Sequence, residues 1–181
     1  MKFIQMHEFD CTLGVPPKCG SSAVHACLQE RYGVDSLTNC KDVGLVKHEL
    51  VSGRVIFVVR NPIDRFDSLW RNKCRDGGKL LGHDIDGMTP AELFGYIKQN
   101  DNHHWTPQHI LLGDLESRCP VTLVPLDGLG TCLWTEFGLG VQRVHETYGK
   151  VPRDFGLTID IAAHYRLDKV LLMEAEQEYA L

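Results

Sequence analysis

The chain has 181 residues, 43% hydrophobic and 24% charged, enough to bury one substantial core and too few for two comfortable domains. Its formal charge of −5 argues against a nucleic-acid protein, which needs a broad basic field, so any anion site has to be local. No stretch approaches the roughly 20 apolar residues of a bilayer span, and the N-terminal MKFIQMHEFD carries no export signal. The seven cysteines are scattered, without zinc-site spacing. The expectation is one domain over residues 1–181, cytoplasmic, with reduced thiols and with no metal, membrane or nucleic acid as partner. The sequence carries no signal for oligomeric state.

In chain order, Met1–Met6 reads as a short strand, followed by the turn-rich loop GVPPKCGSS and a helix over Ala23–Arg31 that ends before Gly33. Arg54–Val59, RVIFVV, is a β-branched and aromatic run typical of a strand buried on both faces. Asn61-Pro62 then starts a helix at about Ile63, with Phe66, Leu69 and Trp70 on one face and Arg65, Asp67, Arg71 and Asn72 mostly elsewhere. Thr89-Pro90-Ala91-Glu92 has a capping-box pattern and opens a helix through Ile97. Cys119–Val124 is a further buried-strand candidate, and Ile159–Ala180 a terminal helix. Strands alternating with helices predict an α/β fold, three-layer and P-loop-like, with a mainly parallel central sheet flanked by helices.

Two segments carry chemistry. In Val15-Pro16-Pro17-Lys18-Cys19-Gly20-Ser21-Ser22, a loop delivers a lysine, a glycine and two hydroxyls to the start of a helix, where free amides attract anions and Gly20 permits close backbone approach. An ordinary turn capped by Ser21 is the plain alternative. The loop is not a Walker A motif: counted from Gly14, that pattern needs glycine, lysine and a hydroxyl residue where this chain has Cys19, Gly20 and Ser21. Cys19 as a phosphatase-type nucleophile is disfavoured, because His25 stands where such enzymes need arginine. The second segment, RNPIDRFDSLW, places Arg60 at a strand end and Ser68 two turns into a helix, at the edge where open α/β sheets bind ligands. Pairing of Arg60 with Asp64 or Asp67 is the structural alternative.

PPKCGSS together with VIFVVRNPIDRFDSLWRNK about forty residues later resembles the two signature segments of the sulfotransferase superfamily, in particular its carbohydrate-type, family 2-like branch. Asn102–Gln108, NHHWTPQ, is similar to an H-W-x-P-Q segment of that branch, and Val121–Leu129 to a later strand and turn. The resemblance implies that Pro17, Lys18, Cys19, Gly20, Ser21 and Ser22 hold the phosphosulfate end of 3′-phosphoadenosine 5′-phosphosulfate (PAPS). It implies that Arg60 and Ser68 hold the 3′-phosphate, with adenosine 3′,5′-bisphosphate (PAP) as product and no metal. The Ser-Ser pair departs from the Ser-Thr or Cys-Thr of many members, and the chain is short for the family.

The implied reaction is sulfonate transfer to a hydroxyl or amine acceptor, a carbohydrate or small molecule, with Lys18 stabilising the leaving group. His48 is the expected base and Glu49 the alternative, on a strand upstream of Arg60. His103, His104 and His109 fit no closed zinc site. Trp105, Tyr165 and Arg166 are candidate cleft residues or core, and acceptor specificity is expected in the loops 76–88 and 128–151. The competing classes are a nucleotide-binding or interaction module without turnover and a P-loop-type kinase.

Overall fold

The computed structural model describes residues 1, 3–77, 80, 82–140 and 155–179. Five strands, β1 (Phe3–Met6), β2 (Cys11–Gly14), β3 (Val43–Val46), β4 (Arg54–Val59) and β5 (Val121–Pro125), form one sheet in the order β3-β1-β2-β4-β5. The helices are α1 (Ser21–Tyr32), α2 (Pro62–Trp70), α3 (Pro90–Ile97), α4 (Gln108–Leu112), α5 (Leu115–Arg118), α6 (Leu129–Phe137), α7 (Phe155–His164) and α8 (Arg166–Tyr179).

The strand pattern predicts its own packing. In β4, alternate side chains face opposite ways: Ile56 and Val58 pack with Val24 and Leu28 of α1 and Leu129 and Leu133 of α6. Val55, Phe57 and Val59 pack with Leu112 of α4, Leu115 of α5 and Leu171 and Ala175 of α8. Helices therefore cover both faces, and β4 is buried along almost its whole length. A third apolar cluster joins α2, α3 and α7 around Phe66, Leu93, Trp105, Ile161 and Tyr165.

Two expectations need correction. The sheet is mixed: β2·β4 and β4·β5 are parallel, but β1 runs antiparallel to both β2 and β3. Only the short turn at His7–Phe9 and Asp10 separates β1 from β2, and so short a link returns the chain antiparallel, whereas a parallel pair needs a crossover. Second, the strand that feeds the phosphate-type loop is β2, not Met1–Met6; β1 is its neighbour. The four residues of β2 are all buried and too few to show a period. Off the apolar stripe of α2, Arg65, Asp67 and Arg71 are also buried, and Arg65 reaches the carbonyls of Pro17, His104 and Thr106. The tail forms two helices, and Ala180 lies outside the described residues. The Thr89–Glu92 capping box is formed as expected.

Candidate functional site

The loop between β2 and α1 begins where Gly14 lies under two aromatic rings; a Cβ there would stand 2.5 Å from Phe57 Cδ2 and 2.9 Å from Phe3 Cε1. The chain then turns through two left-handed residues, Lys18 at φ 69° and Gly20 at φ 85°. Gly20 is the helix N-cap and makes no side-chain capping bond, while Ser21 is already the first helical residue, so the reading of Ser21 as a cap does not hold. The first helical bond runs from Val24 N–H to Gly20 O at 3.0 Å. Helix geometry leaves the amides of Ser21, Ser22 and Ala23 directed out of the N-terminus, where they favour an anion. Ser21 is half-buried and Ser22 exposed.

The second segment meets this loop directly. Arg60 follows β4, and its Nη1 donates to Lys18 O at 2.6 Å. Arg65, 3% exposed, donates from Nε to Pro17 O at 3.1 Å and from Nη1 to Thr106 O at 2.9 Å. The Lys18 ammonium donates to Asn72 Oδ1, just beyond α2. Ser68 is half-buried one helical turn before Asn72, on the same side of the helix. Lys18, Arg60 and the Ser68 face of α2 thus converge at the carboxyl ends of β2 and β4.

A buried network lies behind them. The Gln108 amide accepts from Arg60 N–H at 2.9 Å and from the Cys19 thiol at 3.2 Å, and donates to Arg60 O at 2.8 Å. Asp168 of α8, 0% exposed, accepts from Gln108 N–H at 2.8 Å and from His109 N–H and Nδ1 at 3.0 and 2.8 Å. His109 is thereby committed to a carboxylate and does not stand with His103 and His104.

The local field is strongly positive. Burial, with Lys73 and Arg60 nearby, lowers the Lys18 pKa to about 8, and burial also lowers that of Arg60. Burial raises the Cys19 thiol to about 11, which removes the thiolate a nucleophile requires. His104 is pushed down to about 4 by burial and then by His103, Lys73, Lys18 and Arg65.

The expected bases lie elsewhere. His48 sits in a short 3-10 turn after β3, not on the strand; its Nε2 donates to Leu112 O at 3.0 Å and its Nδ1 accepts from Arg118 Nη2 at 3.3 Å. Both ring nitrogens are engaged by the α4–α5 segment. Glu49 is exposed. Trp105 is core, 4% exposed, and its carbonyl accepts from Tyr165 OH at 2.8 Å; Arg166 is exposed at the start of α8. Of the expected acceptor loops, residues 78, 79, 81 and 141–151 lie outside the described residues.

The sulfotransferase family model matches residues 17–119, more than half of the chain. The chain belongs to the sulfotransferase family. The match supports its family 2-like branch. No curated protein and no solved structure matches the chain. The sulfotransferase match opens at Pro17 and takes in Lys18, Arg60, Ser68 and Gln108, but ends well before Asp168. Among the described residues no helix is long and apolar enough to cross a membrane.

Sequence reasoning missed Arg65, Asn72, Gln108 and Asp168 as parts of this candidate site. Gln108 carried a signal, as the last residue of the NHHWTPQ segment. Arg65 did not: a single amphipathic stripe gives no sign that Pro17 and the His104–Thr106 segment come to lie against its side chain. Asp168 is distant in sequence from everything it serves.

Proposed function

We propose that the chain transfers a sulfonate group from PAPS to a hydroxyl or amine acceptor, a carbohydrate or small molecule, and releases PAP. The observation that carries this reading is the Arg60 guanidinium resting on the Lys18 carbonyl at 2.6 Å, which makes the two family segments one cationic surface at the sheet edge. Pro17 to Ser22 would receive the phosphosulfate end, with Arg60 and Ser68 on the 3′-phosphate; the unpaired helix amides, the ammonium and the guanidinium suit doubly charged phosphates. The match to the sulfotransferase family supports the reaction class.

In the proposed step the acceptor oxygen or nitrogen attacks sulfur in line. The bond between sulfur and the bridging oxygen breaks, its electron pair passes to the 5′-phosphate, and the acceptor gives up its proton to solvent water. Lys18 faces the oxygen on which charge develops and offsets it in a partly desolvated site. A second reading, a nucleotide-binding module without turnover, draws on His48, whose ring nitrogens are both engaged away from the loop.

Calorimetric titration with PAP, ATP and 5′-AMP tests the donor site, with Lys18→Ala and Arg60→Ala as controls. Selective PAP binding lost in either variant is the expected result, followed by transfer of labelled sulfonate from PAPS across an acceptor panel. Preference for ATP would favour kinase-type chemistry, and PAP binding without transfer would favour the module.

A further inference from the structure

One imidazole within the field of Lys18 has no role in the reading above. The Arg65 guanidinium that holds Pro17 O also donates from Nη2 to His104 O at 3.4 Å, so a single buried cation ties the His104 backbone to the loop. The His104 ring lies against that of His103, centroids 4.4 Å apart. Its Nδ1 is buried and has no hydrogen-bond partner among the described residues. Buried polar atoms are ordinarily paired, because leaving one unpaired forfeits its hydration. The charged groups that act most strongly on this ring are His103, Lys73, Lys18 and Arg65, all cationic when protonated. A partner that satisfies the nitrogen and the field together is an anion with oxygen acceptors.

We propose that His104 is a further ligand-binding residue of this site, its ring hydrogen-bonding a phosphate or sulfonate oxygen beside Lys18. The proposal rests on the nucleotide reading above and deepens it. No bond of the ligand is made or broken in this contact. With a pKa of about 4, the ring is neutral in the free protein near neutral pH, with a single N–H. An anion set among Lys18, Lys73 and Arg65 offsets the repulsion that holds the proton off, so the ring takes up a proton as the ligand binds and both nitrogens become donors. By reciprocity, protonation of His104 tightens the ligand. His103, pressed against it and itself held low by burial and by Arg65, shares the same field.

The test is a histidine-ring NMR titration of the full chain between about pH 3 and 8 with and without PAP, the His104 signal being assigned through His104→Asn. The expected result is a His104 pKa at least about one unit higher with PAP bound. Calorimetry should show PAP affinity rising more steeply on acidification in the wild type than in His104→Asn, by about tenfold per unit of that shift. PAP binding with an unmoved His104 titration and equal pH slopes overturns this inference and leaves the donor reading standing. If PAP does not bind at all, both fall. The wild-type titration decides the matter even if the variant folds poorly, because the signal that moves or stays with PAP is then assigned through space from Trp105.

Discussion

The side-chain amide of Gln108 is bonded to the backbone of Arg60 at both ends, accepting from its N–H at 2.9 Å and donating to its carbonyl at 2.8 Å. It fills the place a neighbouring strand would take, at the point where β4 has ended. Because the same Oε1 accepts the Cys19 thiol, one side chain holds the ends of both family segments in register.

Gln108→Ala should therefore cost more than an ordinary polar truncation. It strands the Arg60 N–H and C=O in a half-buried site, and each unsatisfied group costs about 1–3 kcal/mol. A loss of about 2 kcal/mol or more is expected in denaturant unfolding, with a Tm lower by roughly 4–8 °C for a chain of this size. A loss below about 0.5 kcal/mol would show that water replaces the amide without strain.

The Cys19 thiol should resist alkylation in the folded protein. It is 0% exposed, and with a pKa of about 11 only about one molecule in a thousand is thiolate at pH 8. Cys40 and Cys119, both partly exposed, should label first, and Cys19 only on unfolding. Mass mapping after a short iodoacetamide pulse reads this directly; early labelling of Cys19 would restore it as a nucleophile candidate.

How far the sequence reached follows from what each signal requires. The RVIFVV run and the Thr89–Glu92 box are local patterns, and both appear where expected. Lys18 and Arg60 were legible because a loop of Pro, Lys, Gly and Ser and an arginine at a strand end have chemistry of their own. Their direct contact was not, since the Arg60–Lys18 bond joins residues 42 positions apart through the β2·β4 ladder. β2 escaped notice because four buried residues, CTLG, show no alternation. Burial of Arg65 and of Asp168 depends on segments that pack from elsewhere in the chain, which no single-segment periodicity contains.

Asp168→Ala should be among the most destabilising polar substitutions in the chain. The carboxylate is wholly buried and receives the Gln108 amide, the His109 amide and the His109 ring, so its removal strands two backbone donors and loosens α8 from α4. A cost of about 3 kcal/mol is expected, within the range for breaking a buried charged partner. His109→Ala, which removes a ring that is itself partly exposed, should cost about 1 kcal/mol. Urea midpoints of the two variants give the comparison; equal losses would place the anchor in the His109 ring instead of the backbone amides.

Lys18→Gly should separate stability from binding. Lys18 holds φ at 69°, a conformation that costs a side-chain-bearing residue about 1–2 kcal/mol, while glycine gives back roughly 0.5–1 kcal/mol through its freer unfolded chain. The ammonium adds a second, pH-dependent penalty. Its folded pKa of about 8 lies below the ordinary lysine value of 10.5, so between these values the folded protein binds fewer protons than the unfolded chain. Wild-type stability should then rise with pH across that window, and the penalty is present in full below about pH 8. The variant lacks the group and should lack the rise: at pH 7 it should match or exceed the wild type, and by about pH 10 its relative advantage should have shrunk. Denaturant unfolding at both pH values checks the sign, and PAP calorimetry on the same preparation should show binding lost. A variant that is markedly less stable at pH 7 would mean that the Lys18–Asn72 contact outweighs both strain and desolvation.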